Sequence, residues 1–402
     1  MSTPRLAERV RRIRPSPSTV ARTRVSELRA AGRDIIDLTT GEPDFDTPAH
    51  IRAAATAAME RGETKYTAVN GTLALRQAIC AKLRRENDVV YTPKQISVAN
   101  GAKQVIFNAL AATVGTGDEV IVPAPYWVSY PDMVLACDGR PVIVPGDEEA
   151  GFKITPTALE RAITPRTRWL VLNSPCNPTG AAFSSGELRE LADVLLRHPD
   201  VWLLTDDIYE HIRYTAGDLA SALKVEPRFA ERTLLVNGVS KTYAMTGWRI
   251  GYGAGPIALI EAMNTLQSQM SSCASSIGQA AALAALEGDQ QFVRDNARVY
   301  QERRDRAVAL LNAIPGLRCA APDGAFYVYP NCAGIIGKRT PAGTAIETDF
   351  DFVMYLLEAE GVAVLDGAAY GVSPYVRMSI ATAMASIEEG CRRIKRACAA
   401  LH

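Results

Sequence analysis

Several residues of this chain are of types that could do chemistry, and each stands where an apolar run ends. Lys241 lies in Ser240-Lys241-Thr242, shortly after the apolar run at 233–236. Lysine is rarely buried unless it is paired or in covalent use. Its amine condenses with aldehydes, and desolvation among cations lowers its pKa enough to make it nucleophilic near neutral pH. A surface lysine in a loop is the plain alternative. Against it stands Arg249, eight positions on after a Gly-Trp turn, whose planar fork suits a phosphate. Asp206 closes the apolar run at 201–205. It offers a carboxylate to a cationic ring, or else Asp206-Asp207 merely starts a helix or turn. Arg377 interrupts the apolar run at 375–380, where an arginine is costly unless it meets an anion such as a carboxylate.

Other candidates hold a ligand rather than react with it. Asn100-Gly101-Ala102-Lys103 follows a strand pattern at 95–99 and precedes a helix pattern at 105–114. A strand, a glycine turn and a helix start present unpaired N–H groups to an anion. Lys103 is unfavourable for the helix dipole, and an anion there would compensate. Trp127 follows Pro123-Ala124-Pro125 and offers a face on which a ring can stack; core packing is the usual fate of a tryptophan. Gly41, in the proline-punctuated loop Gly41-Glu42-Pro43-Asp44, lets backbone approach a ligand closely. Tyr66 reads equally as a half-buried core tyrosine or as a ligand donor.

These residues need a scaffold that gathers strand ends. From residue 119 onward strand and helix patterns alternate, which predicts an α/β fold with a mainly parallel sheet and ligands at the carboxyl ends of its strands. Helices are expected at 20–31, 50–61, 126–136, 185–197, 291–313 and 386–401. Beyond the long charged helix the pattern turns α+β, with strands near 325–329, 362–365 and 375–380. The expected organisation is an N-terminal segment (1–49) packing with a small C-terminal domain (291–402), and a large domain at 50–290. No G-x-G-x-x-G follows the first strand, so a dinucleotide fold is disfavoured.

Composition narrows the class further. The 402 residues carry 44 basic and 44 acidic side chains, so nothing marks a nucleic-acid surface. No apolar run reaches the length of a membrane span, and the basic N-terminus lacks the apolar core of a secretory signal. Eight scattered cysteines without a C-x-x-C pair, with four histidines, argue against a metal site or a disulfide framework and suit the cytoplasm.

The segment from Ser240-Lys241 to Gly247-Trp248-Arg249 resembles the cofactor-lysine signature of pyridoxal-phosphate-dependent class I/II aminotransferases of fold type I. Asn177-Pro178-Thr179-Gly180, Asp206 with Tyr209, Lys65-Tyr66-Thr67 and Arg377 follow the same pattern in the same order, and the wording is nearest to bacterial aspartate aminotransferases, including those that also accept prephenate. The resemblance runs from about Arg14 to the C-terminus. It implies a seven-stranded large-domain sheet and pyridoxal 5'-phosphate held covalently by Lys241. Asp206 would face the ring nitrogen, and Asn177 and Tyr209 the ring hydroxyl. Gly101, Ala102, Lys103, Ser240 and Arg249 would surround the phosphate, with Tyr66 reaching in from the other subunit of a homodimer. Arg377, Gly41, Trp127 and Asn177 would bind the substrate, and Lys103 with Ser16 and Ser18 would take an acidic side chain. Aspartate with 2-oxoglutarate is the expected pair. Prephenate, aromatic or neutral amino acids, and a lyase or synthase on the same cofactor are the alternatives. A non-catalytic regulator is disfavoured, because the stretch before the resemblance is too short for an added DNA-binding domain. Asp366 departs from the pattern before Gly367, and an acid there would oppose a dicarboxylate.

Overall fold

The computed structural model describes residues 5–13, 15, 17–215 and 220–402. Its centre is a seven-stranded sheet in the order Ile96–Ala99, Gly251–Ala254, Thr233–Gly238, Trp202–Asp206, Thr167–Asn173, Glu119–Ala124 and Arg140–Pro145. Gly251–Ala254 runs antiparallel to both neighbours, and every other pairing is parallel. The strands are nearly continuous apolar runs because both sheet faces are covered. Alternate residues serve the two sides: Leu235, Leu203, Leu170 and Leu172 join one buried cluster. Their neighbours Leu234, Val236, Leu204, Trp169 and Val171 join another.

Parallel register brings strand ends together. Asn173 pairs with Asp206, and Asp206 pairs with Val236. The loops that follow Thr167–Asn173, Trp202–Asp206 and Thr233–Gly238 therefore leave the sheet side by side, which is what places Asn177, Asp206 and Lys241 in one crevice.

A second set of elements packs beyond the 22-residue helix Gln291–Asn312. Leu365–Asp366, Val376–Ser379 and Tyr327–Val328 form an antiparallel sheet, and Ile36–Asp37 pairs in parallel with Val362–Ala363. Phe326, Phe352, Met378 and Ile387 fill the core between these strands and the helices Asp349–Glu360 and Met384–Ala399.

Three of the differences from the sequence expectation bear on the site. The single strand at 362–365 is two short strands, because Val362–Ala363 pairs with the N-terminal strand and Leu365–Asp366 with Val376 and Arg377. The helix expected from Tyr126 begins at Ser129: Tyr126 N–H donates instead to Tyr370 O at 3.1 Å. That leaves Trp127 on an irregular bend. The helix expected from Val105 begins at Ala102, so the unpaired N–H groups of its first turn belong to Ala102 and Lys103. Among the described residues no helix is long and apolar enough to cross a membrane.

Candidate active site

A cavity of about 450 Å³ opens at the carboxyl ends of the central strands. Lys241, Asp206, Tyr209, Asn177, Ser240, Arg249, Arg377, Ala102, Lys103, Trp127 and Gly41, each singled out in the sequence, line it together.

One end is built for an anion. Gly101 precedes the Ala102–Thr113 helix with φ +88°, and a Cβ there would sit 2.5 Å from Arg249 Nη2. Only glycine lets the helix start and the arginine come this close. Arg249 is itself left-handed, with φ 58°. Its guanidinium donates to Thr246 O (2.8 Å) and Asn100 O (3.3 Å), which orients it across the helix N-terminus.

Lys241 Nζ donates to the Gly41 carbonyl at 2.6 Å. Burial pushes its pKa down to about 8, helped by Arg249 and Arg377 and opposed by Glu42 and Asp206. The amine can therefore lose its proton near neutral pH. Asp206, 4% exposed, is pushed up to about 6 by burial, against the hydrogen bonds it receives. Those come from the Tyr130 hydroxyl (2.7 Å) and the Ile208 N–H (3.3 Å). An acid so placed strongly favours a cationic partner.

Arg377 crosses the opposite wall, only 2% exposed. Nη1 donates to Asn177 Oδ1 at 3.2 Å and Nη2 to the Thr39 carbonyl, while Nε has no partner among the described residues. The guanidinium lies over the rings of Tyr327 (4.5 Å) and Tyr370 (5.3 Å). Each Nη carries a second N–H, so a guanidinium fixed in a cavity wall with no carboxylate partner is a place for a ligand carboxylate. Lys103 Nζ lies 4.7 Å above the Trp127 ring and donates to Ser129 Oγ at 3.1 Å. Burial and the neighbouring Arg249 hold its pKa below the usual lysine value.

Lys103, Lys241, Arg249 and Arg377 make no carboxylate ion pair within 4 Å among the described residues. Two carboxylates, Glu42 and Asp206, face these four cations. The cavity therefore suits a ligand with several negative charges.

Some expected residues lie elsewhere. Tyr66 is 88% exposed and lines a separate surface cavity, so it is not the half-buried core tyrosine that was one reading. Arg14 and Ser16 lie outside the described residues, as does the side chain of Ser18. Asp366 does not line the cavity; its carboxylate accepts the Ala369 N–H at 3.0 Å. The objection it raised to a dicarboxylate is thereby removed.

Sequence reasoning missed Glu42, Tyr130 and Tyr327. Glu42 accepts the Thr246 hydroxyl at 2.7 Å, and the Tyr327 hydroxyl shares a hydrogen bond with Tyr209 at 2.9 Å. Glu42 stood in view beside Gly41, but nothing in the sequence shows which way it points. Tyr327 sits in an apolar run that reads as core.

Comparison with known proteins agrees with this geometry. The family model described as aminotransferase class I and II matches residues 33–394. A probable aspartate/prephenate aminotransferase of Rhizobium leguminosarum bv. phaseoli is 53% identical over 98% of this chain and 99% of its own. An aspartate/prephenate aminotransferase of Cereibacter sphaeroides is likewise 53% identical over 98% and 99%. Among solved structures, the aspartate aminotransferase of Rhizobium meliloti superposes with a TM-score of 0.97 at 51% identity, covering 100% of both chains. That of Thermus thermophilus, solved with maleate, gives 0.91 at 41% identity, covering 98% of this chain and 100% of its own. With a family match over most of its length and relatives about half identical from end to end, the chain belongs to the class I and II aminotransferases.

Proposed function

We propose that this cavity binds pyridoxal 5'-phosphate and transfers an amino group between L-aspartate and 2-oxoglutarate. The residues fit the cofactor. Arg249, Ser240 and the N–H groups of Ala102 and Lys103 would hold its phosphate, Asp206 its ring nitrogen, Tyr209 and Asn177 its ring hydroxyl, and Trp127 one ring face. When bound, the cofactor supplies an aldehyde and a ring that accepts electron density. Asp206, braced by Tyr130, keeps the ring nitrogen protonated. Arg377 would orient the substrate α-carboxylate, and Lys241 Nζ would take a proton from the donor's Cα in one half-reaction and deliver one to Cα of the acceptor in the other.

The observation that carries the reading is the Arg377 guanidinium, which has no carboxylate partner among the described residues, in one cavity with Lys241 and Asp206. An α-amino or 2-oxo acid supplies the carboxylate it lacks. Lys103 supplies a second cation for a side-chain carboxylate, in keeping with the maleate held by the Thermus relative. Prephenate, named for two relatives, also carries a second carboxylate, so Lys103 serves either substrate. The active unit is a homodimer in which Tyr66, exposed on its own subunit, completes the phosphate site of the other.

The test is Lys103→Gln. Leaving a substrate carboxylate unpaired costs roughly 2–3 kcal/mol, so kcat/KM for aspartate should fall about 30- to 150-fold. Alanine and phenylalanine should change far less. Equal losses for all would place Lys103 with the phosphate alone. Pyruvate formed from aspartate without an acceptor would make the enzyme a lyase.

A further inference from the structure

A second polar cluster lies behind the cavity and takes no part in the chemistry above. It is assembled from the helix Leu73–Asn87, the turn after Trp202–Asp206, and the end of Thr233–Gly238. Lys82, fully buried, pairs with Glu210, lies 3.4 Å from Glu86 and donates to Asn87 Oδ1 at 2.9 Å. Glu210 also accepts from Asn87 Nδ2 (2.9 Å) and Asn237 Nδ2 (2.6 Å). His211 Nε2 lies 2.9 Å from Glu86 Oε2, and its Nδ1 lies 3.2 Å from Thr242 Oγ1.

Ligand atoms of Glu86, Glu210 and His211 fall within 4.8 Å of one another, a set that could hold a metal ion. Here the Lys82 ammonium supplies the positive charge between the two glutamates, so the cluster is complete without one. Burial opposes ionisation of Glu86, yet the His211 hydrogen bond and the Lys82 charge hold it at about 2. An ionised Glu86 takes the Nε2–H of His211. The other ring nitrogen, Nδ1, hydrogen-bonds the Thr242 hydroxyl, with Glu210 Oε1 also 3.7 Å away.

The chain alternates between the two compartments. Asp206, Tyr209 and Lys241 face the cavity, whereas Asp207, Glu210, His211 and Thr242, each one or two residues further on, do not line it. The turns that deliver Tyr209 and Lys241 are thus gripped from behind, through Glu210, His211 and Thr242. A buried ion pair is weak as a source of stability, since apolar packing often does as well. Holding a side chain to within a fraction of an ångström is a better use of it.

We infer that Thr242 and His211 are positioning residues for the Lys241 amine, anchored by the Lys82–Glu210–Glu86 cluster. The inference rests on Lys241 being the reacting amine, as proposed above. Without the Thr242 hydroxyl, the backbone from which Lys241 reaches the Gly41 carbonyl loses its side-chain tether to the cluster, and the amine samples unproductive positions.

The experiment compares Thr242→Val, which keeps shape and removes the hydroxyl, with Thr242→Ser, which keeps the hydroxyl. Two readouts are used: kcat and KM of the holoenzyme, and the rate of Lys241 reductive methylation in cofactor-free protein, followed by peptide mass spectrometry. The valine variant should lose about 10-fold in kcat with KM little changed, and its Lys241 methylation rate should shift about 3-fold or more, with the serine variant close to wild type. Should the valine variant not fold, His211→Asn carries the same measurements. Wild-type kcat and methylation in the valine variant, or losses that track melting temperature and are not restored by serine, would overturn the inference. Lys241→Ala is run alongside. If that variant turns over normally, the assignment of Lys241 itself is wrong. If it is inactive and the valine variant is normal, only the positioning role falls.

Discussion

Arg377→Lys keeps the positive charge and removes the fork, which isolates what the guanidinium geometry contributes. In the wild type, Nη1 and Nη2 each give one N–H to Asn177 Oδ1 and the Thr39 carbonyl, which fixes the plane in which the fork meets a ligand. A lysine ammonium cannot satisfy both protein acceptors and also approach the substrate in a fixed plane. One charge-assisted hydrogen bond to the α-carboxylate is then lost, worth about 1.5–3 kcal/mol. At roughly 1.36 kcal/mol per factor of ten, kcat/KM should fall about 10- to 150-fold. Because every amino acid and 2-oxo acid carries the α-carboxylate, aspartate, glutamate and alanine should lose by similar factors. This uniform loss distinguishes Arg377 from Lys103, whose loss is confined to acidic substrates. Steady-state kcat/KM is measured for each donor with 2-oxoglutarate, with a thermal melt to show that the variant is folded. A folded variant whose kcat/KM stays within about 3-fold of wild type for all donors would refute the assignment, since a fork that makes no difference binds no carboxylate.

Three further outcomes follow from the same geometry. The Asp206 carboxyl is raised from 3.8 to about 6, so the folded protein retains a proton that the unfolded chain releases between those pH values. Wild-type cofactor-free protein should therefore lose up to roughly 3 kcal/mol as pH rises through that window. Asp206→Asn should lack this loss, melting higher than wild type at pH 8 but not at pH 4, while activity collapses. Gly101→Ala forces a side chain onto a φ of +88° and against Arg249; the strain of roughly 1–3 kcal/mol should weaken cofactor binding about 5- to 150-fold, measured by equilibrium dialysis. Mixing Tyr66→Phe with Lys241→Ala subunits should raise activity above the average of the two parents, because each mixed dimer contains one native site. Activity at or below that average would exclude shared sites.

Much of the candidate site was legible because its residues are chemically expensive where they stand. Asp206 closes an apolar run, Arg377 breaks one and Lys241 follows one closely, and burial of a charge demands a partner. The alternation of strand and helix patterns likewise pointed to a mainly parallel sheet with ligands at its strand ends, and the seven-stranded sheet has that form. Element edges were less legible, since they depend on partners far along the chain. Residues 362–365 carry a uniform strand signal, and only the competing claims of Ile36–Asp37 and Val376–Ser379 divide it.

What tertiary structure alone decided is direction. The carboxylate of Glu42 enters the cavity because Thr246, 204 residues away, holds it there. That of Asp366 caps a local turn instead, although both acids sit next to glycines. Tyr130 braces Asp206 across 76 residues. Lys82, an unremarkable member of a charged helix, becomes the buried counter-ion of Glu210 only once that helix packs against the turn beyond Trp202–Asp206. Sequence pattern reports what a residue costs to bury and how often a face recurs. It carries no information about which distant group will be waiting there, because that depends on how the sheet's strands are ordered and on which loops their ends bring together.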